Sequence, residues 1–229
     1  MVLRFALVAA LAAALIPARA AAASPTLEKL APCYIAAQPG ETQAVVINAH
    51  GFTPNAFIDV FIDNVIYTPP AGNAAPQADV NGDLLNGSVP APYIPFGVHR
   101  FTVRLAEHAP NPQNIVTGNA RVAALSVEQK PQKASTRSRV RFSGRGFLAP
   151  GVVYAHYVYA GRSHKTVRIG RPHGACGQFA RKLRQFPFKH TPKVGTWTIQ
   201  FDQERAYNPQ AGVLVRLTVK VRRTIKPKG

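Results

Sequence analysis

The sequence predicts an all-β protein made of two tandem Greek-key β-sandwich domains that follow an N-terminal signal peptide. Three observations support this prediction. Short runs of apolar and polar residues alternate with a period of two, which is the pattern of half-buried strands. The chain is rich in turn-forming residues that break helices, with 20 Pro and 17 Gly among 229 residues. Several motifs of the first half also recur in the second half in the same order.

The first 23 residues have the order of a Sec-type signal peptide. Arg4 supplies a positive charge, an apolar run covers 5–16, and Pro17 precedes the small-residue motif at 18–20. A membrane anchor needs about 20 apolar residues, and Pro17 interrupts this run too early. No later apolar stretch reaches spanning length. We therefore expect a signal peptide at 1–23 and a mature chain that is secreted or otherwise extracytoplasmic, with association to the cell wall as one option.

The two halves align when the chain is shifted by about 95 residues against itself. Three pairs of segments then match: Val45-x-Ile47-x-Ala49-x-Gly51-Phe52 with Val140-x-Phe142-x-Gly144-x-Gly146-Phe147, Gly97-x-His99-x-Phe101-x-Val103 with Gly195-x-Trp197-x-Ile199-x-Phe201, and Asn111-Pro112-Gln113 with Asn208-Pro209-Gln210. The matches keep their order and nearly their spacing. We place repeat 1 at 30–127 and repeat 2 at 128–229.

Within each repeat, alternating residues define the predicted core faces. Those faces are formed by Val45, Ile47 and Ala49 on one strand and by Phe101, Val103 and Leu105 on another. Trp197 is in phase with apolar neighbours and is predicted to be a core residue. The Asn81-Gly82 pair is the best hairpin signal, because both residues tolerate positive φ angles. Domains of about 100 residues with strands every 8 to 12 positions are typical of immunoglobulin-like sandwiches.

Turn and core motifs of repeat 1 resemble the immunoglobulin-like repeats of exported actinobacterial proteins. These motifs are Gly51-Phe52 with its following turn, Ala78-Asp79-x-Asn81-Gly82, and the strand that begins Gly97-x-His99. The resemblance covers most of the mature chain and implies the fold, but it implies no function. Repeat 2 departs from the pattern. It lacks the Asp-x-Asn-Gly turn and carries a basic segment around Gly174-Ala175-Cys176 instead.

The formal charge of +18 is divided unequally between the repeats. Residues 21–127 contain four bases and seven acids, for a net charge of −3, whereas 128–229 contain 22 bases and three acids, for +19. So many positive charges on about 100 residues attract polyanions, because binding releases condensed counterions. Outside a cell these polyanions include wall phosphate polymers, anionic lipid surfaces, acidic polysaccharides and DNA, the last bound without sequence specificity.

The bases of repeat 2 are clustered, and ten of them form our candidate polyanion-binding site. Three alternate along one predicted strand, which would place them on one sheet face. The ten residues are Arg137, Arg139, Arg141, Arg162, Lys165, Arg168, Arg171, Arg181, Lys182 and Arg184. The alternative is that these bases only cover a solvent-exposed face and reflect the arginine-rich proteins that a GC-rich genome encodes. The acidic sister repeat favours a functional site, since a coding bias would have affected both repeats.

Cys33 and Cys176 are the only two cysteines, and each repeat contains one. Exported chains keep cysteines paired because their compartment is oxidising. We therefore predict a Cys33–Cys176 disulfide that joins the repeats, with intermolecular pairing or free thiols as alternatives. In an end-to-end arrangement the N-terminus of the first sandwich points away from the second. The bond is thus expected to require repeats that fold back or lie side by side.

Other candidate sites are weak. His173-x-x-Cys176 has a spacing that zinc accepts, but no second ligand pair follows, and the acidic Asp79-x-Asn81-x-Asp83 run is better explained as a turn than as a calcium loop. Asp202 and Glu204 are expected to pair with nearby arginines. No catalytic motif, cofactor site or metal site is predicted. Tyr154, Tyr157 and Tyr159 occupy both faces of one strand, so at least one of them should be exposed.

These observations predict a non-catalytic binding or structural protein, in which repeat 2 docks onto an anionic envelope polymer, an extracellular polymer or a lipid surface. A carbohydrate-binding module that uses exposed aromatic residues is the alternative from another class. An unrecognised hydrolase is the third possibility. Salt distinguishes the first two, because polyanion docking weakens steeply as salt rises and sugar stacking does not. The sequence does not specify the ligand or the oligomeric state.

Overall fold

Two β-sandwiches, one for each repeat, make up the computed structural model, which describes residues 24–108 and 114–223. All regular secondary structure in these residues is β-strand. The predicted signal peptide at 1–23 and the repeated motif at 111–113 lie outside the described residues. The predicted all-β, immunoglobulin-like fold is confirmed, because each repeat has two facing sheets with the strand order of such a sandwich.

The strands of repeat 1 form a small sheet and a large sheet. They are β1 (Thr26–Leu27), β2 (Tyr34–Gln38), β3 (Glu41–Thr42), β4 (Ala44–His50), β5 (Ile58–Ile62), β6 (Val65–Ile66), β7 (Leu84–Pro90), β8 (Val98–Glu107) and β9 (Ile115–Ala124). The small sheet has the order β1-β4-β7 and the large sheet the order β3-β2-β9-β8-β5-β6. Strands β2 and β9 are parallel, and this pairing brings the N-terminal part of the chain beside the last strand of the repeat.

The strands of repeat 2 form a simpler pair of sheets. They are β10 (Ser126–Lys130), β11 (Arg139–Arg145), β12 (Val153–Tyr159), β13 (Arg162–Gly170), β14 (Phe179–Arg184), β15 (Gly195–Asp202) and β16 (Leu214–Val221). One sheet has the order β10-β11-β14 and the other the order β13-β12-β15-β16. Strands β13 and β14 are therefore edge strands of opposite sheets, and they lie next to each other.

Each repeat has its own apolar core between its sheets. In repeat 1 the predicted core faces on β4 and β8 are confirmed, since all six residues are buried in one cluster. In repeat 2, Trp197 is 2% exposed, which confirms its predicted core position. Its ring lies 5.4 Å from that of Phe186, 5.3 Å from that of Phe188 and 4.9 Å from that of Tyr159. The indole N–H donates a hydrogen bond to the carbonyl oxygen of Lys193 at 2.9 Å.

Strand pairing shows how the repeats correspond. Ile62 pairs with Val103, and Tyr157, which is 95 residues further along, pairs with Ile199. Val103 is therefore equivalent to Ile199, and the equivalent of Trp197 is Phe101. The sequence alignment of His99 with Trp197 is wrong by two residues. A shift of two keeps every side chain on the same face of a strand, so the alternating pattern does not reveal it.

The turn before β7 places Gly82 against the end of β4. The backbone N–H of Gly82 donates to the carbonyl oxygen of Asp79 at 3.1 Å, and the Phe52 N–H donates to the carbonyl oxygen of Gly82 at 3.0 Å. Gly82 has a φ of 84°, and a Cβ there would lie 2.1 Å from the Phe52 carbonyl oxygen. Glycine is required by both conformation and space. The turn leads into β7, which pairs with β4, so the predicted Asn81-Gly82 hairpin is wrong.

Repeat 2 keeps the geometry of this turn, although its sequence lacks the Asp-x-Asn-Gly motif and has the segment around Gly174-Ala175-Cys176 in its place. Gly177 N–H donates to the carbonyl oxygen of Gly174 at 3.3 Å, and Phe147 N–H donates to the carbonyl oxygen of Gly177 at 3.3 Å. A Cβ on Gly177 would lie 2.2 Å from the Phe147 carbonyl oxygen. The geometry survives because the glycine is retained, while the preceding side chains change. Cys176 thereby occupies the position that Asn81 has in repeat 1.

Only Leu125 separates β9 from β10, so the repeats follow each other end to end. The backbone N–H of Leu125 donates to the carbonyl oxygen of Ala36 at 3.1 Å, and that of Ala124 to the carbonyl oxygen of Gly97 at 3.1 Å. A Cβ on Gly146 would lie 3.1 Å from the Cα of Leu125, so the β11–β12 loop of repeat 2 lies directly against the connection. The junction is thus built from β2, the end of β9 and this loop.

The Cys33–Cys176 disulfide crosses the junction and confirms the predicted pairing, with the two Cα atoms 5.2 Å apart. Both cysteines are buried in a small cluster with Ala123, Val98 and Leu148. The expectation that the bond requires folded-back or side-by-side repeats is wrong. Because β2 runs parallel to β9, Cys33 lies near the end of repeat 1 that adjoins repeat 2.

For both repeats, we define the upper end as the end that contains the β4–β5 loop or the β11–β12 loop. The lower end is the opposite one. In these terms, the upper end of repeat 2 packs on the lower end of repeat 1. The upper end of repeat 1 and the lower end of repeat 2 form the two extremities of the described chain.

Candidate polyanion-binding surface

Strand β11 presents two of the predicted arginines to solvent. Val140 and Phe142 point into the core and are fully buried, so the alternating residues Arg139 and Arg141 are exposed on the outer face of the sheet. Arg137 is also exposed, but it lies in the turn before β11. The prediction that all three share one strand is therefore wrong for Arg137, because the strand begins at Arg139.

Strand β14 adds further bases to the same outer face. Arg184 stands opposite Arg139, and Lys182 stands opposite Arg141. On the other side of β11, Lys130 of β10 also stands opposite Arg141. Residues directly opposite on antiparallel strands have Cβ atoms about 4.5–5.5 Å apart, and like charges in such pairs are destabilising. The sheet thus concentrates positive charge in one row that crosses three strands and a second that crosses two.

The second predicted cluster joins the first along the edge where β13 and β14 meet. Arg162, Lys165 and Arg168 are exposed on β13. The Lys165 ammonium donates a hydrogen bond to the carbonyl oxygen of Pro187, just beyond β14, at 2.6 Å. Arg181 of β14 is exposed at this edge, and Arg171 follows the end of β13. The eight exposed bases on the three strands form what we call the basic ridge: Arg139, Arg141, Arg162, Lys165, Arg168, Arg181, Lys182 and Arg184.

No carboxylate in the described residues forms a salt bridge with any base of the basic ridge. Glu128 pairs with Arg145, at 3.2 Å, and with Lys130, at 3.9 Å, both outside the ridge. Asp202 is buried and pairs with His156, so the predicted pairing of Asp202 with an arginine is wrong. Glu204 forms no salt bridge in this part of the chain. The positive charge of the ridge is therefore available to an external partner.

Exposed aromatic residues do not form a row beside the basic ridge. In the described residues, the strongly exposed aromatic side chains are Phe57, Tyr93 and Phe96, and all three belong to repeat 1. The predicted exposure of a tyrosine on β12 is wrong, since Tyr157 is buried and Tyr154 and Tyr159 are half-buried. The Tyr157 hydroxyl has no hydrogen-bond partner, and burial raises its pKa.

The weaker sequence candidates resolve into structural features. Cys176 is bonded to Cys33, so it is not available as a zinc ligand. The Asp79 carboxylate accepts hydrogen bonds from the backbone N–H groups of Asn81, at 2.8 Å, and Asp83, at 2.9 Å, as in an Asx-type turn. Within the described residues, no three His, Cys, Asp or Glu side chains are grouped as a metal site would need.

A buried polar network on the outer face of the second sheet of repeat 2 was not predicted. His156, Gln200 and Asp202 are each 0% exposed, because the loop between β15 and β16 covers them. Gln200 donates to the Asp202 carboxylate at 2.7 Å and to the carbonyl oxygen of Asn208 at 2.6 Å. Polar residues at alternating outward positions of β12 and β15 were the available signal, but the sequence does not say that a loop folds over them.

The acceptors around His156 fix the position of its proton. Its Nε2 lies 3.1 Å from both the Asp202 carboxylate and the carbonyl oxygen of Glu204, so this nitrogen carries hydrogen and donates. In the neutral ring, Nδ1 then accepts from the hydroxyl of Thr166 at 2.9 Å. The order hydroxyl, imidazole, carboxylate is that of a general-base relay. Here only Thr166 is exposed, and the other contacts attach the loop to the sheet.

The described residues contain no helix of sufficient length and apolarity to cross a membrane.

Comparisons with known proteins give only distant likenesses. No protein-family model matches the chain, and no curated protein matches it. Among solved structures, it is similar to the fibronectin(III)-like modules of Clostridium thermocellum CbhA, at 8% identity and a TM-score of 0.25, over 86% of this chain and 93% of that one. It is also similar to Parabacteroides merdae β-glucuronidase, at 9% identity and a TM-score of 0.27, over 86% of this chain and 24% of that one. A third similar structure is the Pseudomonas aeruginosa CupB2 chaperone, at 11% identity and a TM-score of 0.21, over 82% of this chain and 96% of that one. Likenesses this distant carry no argument about function.

Proposed function

We propose that this protein is a non-catalytic, extracytoplasmic binding protein whose second repeat docks onto an anionic polymer of the cell envelope or the extracellular space. The observation that carries the proposal is the basic ridge, in which bases stand opposite each other on β11 and β14 and further exposed bases follow on the neighbouring edge strand β13, none of them paired with a carboxylate in the described residues. A chain of phosphate groups laid along it releases counterions, and this release drives association.

The arrangement of the bases supports binding rather than solubility as their role. Bases placed directly opposite each other on β11 and β14 repel, which costs stability in the unbound protein. A polyanion removes that repulsion when it binds. Repeat 1, built on the same fold, has a net charge of −3, so this sandwich has no structural need for such a surface.

The N-terminal sequence pattern and the disulfide support an extracytoplasmic location. The N-terminal pattern at 1–23 is that of a signal peptide, and the Cys33–Cys176 bond belongs to an oxidising compartment. The polymers available there include wall phosphate polymers and acidic polysaccharides.

The test replaces four ridge bases and compares them with four bases elsewhere on repeat 2. The ridge variant carries Arg139→Ser, Arg141→Ser, Lys182→Ser and Arg184→Ser in the full protein. The control carries Lys193→Ser, Lys220→Ser, Arg222→Ser and Arg223→Ser, which removes the same charge from exposed positions off the ridge. Binding to long-chain inorganic polyphosphate and to phosphatidylglycerol vesicles is measured from low to physiological salt, with neutral dextran as the reference.

We expect the ridge variant to lose most of its affinity for polyphosphate while the control keeps it. Each phosphate that the protein no longer neutralises lowers the slope of log affinity against log salt by about 0.7 to 0.9. Equal losses in both variants would show that net charge alone acts, and would contradict the ridge. Salt-independent binding to dextran would instead favour the carbohydrate-binding alternative. Stronger binding to vesicles than to polyphosphate would identify a lipid surface as the partner.

A further inference from the structure

The two extremities of the described chain are counterparts of the two surfaces that meet at the junction between the repeats. The upper end of repeat 2 contributes Cys176 and Leu148 to the junction, and the lower end of repeat 1 contributes Val98 and Ala123. Strands β4, β5, β7, β8 and β9 of repeat 1 have counterparts in the same order in repeat 2, whereas β2, which also lines the junction, has none. The upper end of repeat 1 and the lower end of repeat 2 therefore present surfaces of the same two types at the extremities of the described chain, the second of them without a strand equivalent to β2.

The upper end of repeat 1 exposes apolar side chains next to its counterpart of the junction turn. Val80 lies in the turn that corresponds to the one containing Cys176, and it is 72% exposed. Phe57, at the start of β5 on the same end, is 54% exposed. Large exposed apolar side chains that cluster at one end of a domain mark interaction sites.

The lower end of repeat 2 offers a complementary surface. Val194 is the counterpart of the junction residue Val98, because Ile199 is the counterpart of Val103, and it is 49% exposed. Beside it lies a cleft of about 550 Å³, lined by Phe186, Pro192, Val194 and Val221 among others. An apolar side chain such as that of Val80 has room to enter this cleft.

Charge complementarity favours the same pairing. The upper end of repeat 1 carries Glu28, Asp79, Asp83 and Glu107, of which Glu28 and Asp83 contact His50. Backbone N–H groups that donate to the Asp79 carboxylate hold its pKa below its usual value. The described lower end of repeat 2 has no carboxylate. Its bases are Lys130, Lys133, Arg137, Arg139, Arg162, Arg184, Lys189, Lys193, Lys220, Arg222 and Arg223.

We propose that copies of this protein associate head to tail, with the upper end of repeat 1 of one copy on the lower end of repeat 2 of the next. The contact is heterologous, so association continues as an open array unless the rotation between copies closes a ring. Such an array repeats the basic ridge along its length. The inference stands on the two ends alone and does not depend on polymer docking.

The first experiment measures association by sedimentation velocity, without any polymer, between about 1 and 100 µM protein, the range expected for a small interface. We expect the average sedimentation coefficient to rise with concentration and to fall with added salt. Val80→Asp should remove this rise. Val65→Asp is the matched control, because Val65 is 69% exposed on β6, away from the two extremities of the described chain. This change should leave the rise in sedimentation coefficient unchanged. A monomer at all concentrations, or equal effects of both changes, would overturn the proposal.

The second experiment detects the same contact between copies by disulfide cross-linking, which does not depend on the solubility of the variants. Asn81 is the counterpart of Cys176, and Arg222 is the counterpart of Ala123, which packs against Cys176 at the junction. Asn81→Cys protein is mixed with Arg222→Cys protein under mild oxidation, with Thr218→Cys as a control in the middle of β16. The expected product is a disulfide-linked Asn81→Cys/Arg222→Cys heterodimer, several times more abundant than the one formed with Thr218→Cys. Equal yields from the two mixtures would refute the head-to-tail contact.

Discussion

Equivalent residues of the two repeats form the same ion pair with different bases. Thr26 stands opposite His50, and Ser126 stands opposite Arg145. In each repeat the glutamate two residues further along the chain, Glu28 or Glu128, reaches that base. His50 lies 3.3 Å from Glu28, and Arg145 lies 3.2 Å from Glu128. Hydrogen bonds to Asp83 and Glu28 raise the pKa of His50. Repeat 1 thus contains a titratable version of a permanently charged contact in repeat 2.

The pH dependence of this contact is testable with His50→Gln. A histidine whose folded pKa is raised stabilises the fold fully below its ordinary value near 6.5, and the contribution is lost as pH rises through the raised value. We expect the melting temperature of His50→Gln to fall below that of the wild type at about pH 5.5 and to approach it at about pH 8.5. An equal difference at both pH values would contradict this assignment.

At the scale of the strand, local patterns identified part of the candidate site. The alternation around Val140 and Phe142 correctly predicted that Arg139 and Arg141 are exposed. The sequence did not reveal that Lys182 and Arg184 stand opposite them, because pairing between distant strands leaves no local pattern. The buried His156 was missed for a related reason: its position on the outer face predicts exposure, and only the loop that covers it makes it buried.

The repulsion between β11 and β14 predicts that one substitution will separate stability from binding. Lys182→Glu places a carboxylate opposite Arg141, so a destabilising pair becomes an attractive one. We expect the free energy of unfolding to rise by roughly 0.2 to 1 kcal/mol at low salt, and polyphosphate affinity to fall. Lys182→Gln removes the repulsion without adding attraction, and it should give smaller changes of the same sign. A loss of stability in Lys182→Glu, measured by urea unfolding, would show that repulsion between Lys182 and Arg141 does not lower the free energy of unfolding.

At the scale of the whole molecule, the disulfide was predictable and its geometry was not. The cysteine count and the predicted compartment were sufficient to pair Cys33 with Cys176. The position of Cys33 depends on the chain leaving the small sheet after β1 and entering the large sheet as β2, which runs parallel to β9. That change of sheet depends on non-local pairing, so the sequence pattern alone suggested an arrangement that the chain does not adopt.

The double variant Cys33→Ser/Cys176→Ser should destabilise the full protein markedly. The bond closes a loop with a sequence separation of 143 residues, and removal of such a constraint costs about 5 kcal/mol in the chain-entropy model. We expect calorimetry to show a lower melting temperature and two resolved transitions, because the repeats then lose their covalent clamp. Reduced wild-type protein should behave like the variant. An unchanged single transition would show that the one-residue connection is sufficient to couple the repeats.

The position of the disulfide also determines how the molecule carries mechanical tension. When the chain is pulled from both ends, force enters through the segment before Cys33, crosses the sulfur–sulfur bond to Cys176 and leaves through β14, β15 and β16. The residues between the two cysteines, 34–175, lie outside this path, and they include nearly all of repeat 1 and strands β10 to β13 of repeat 2. If the bond were reduced and these residues also unfolded, they would add roughly 480 Å of extended chain. An anchored copy therefore carries tension along a covalent path through the N-terminal segment, the disulfide and the last three strands, and this path bypasses most of repeat 1 and the first four strands of repeat 2.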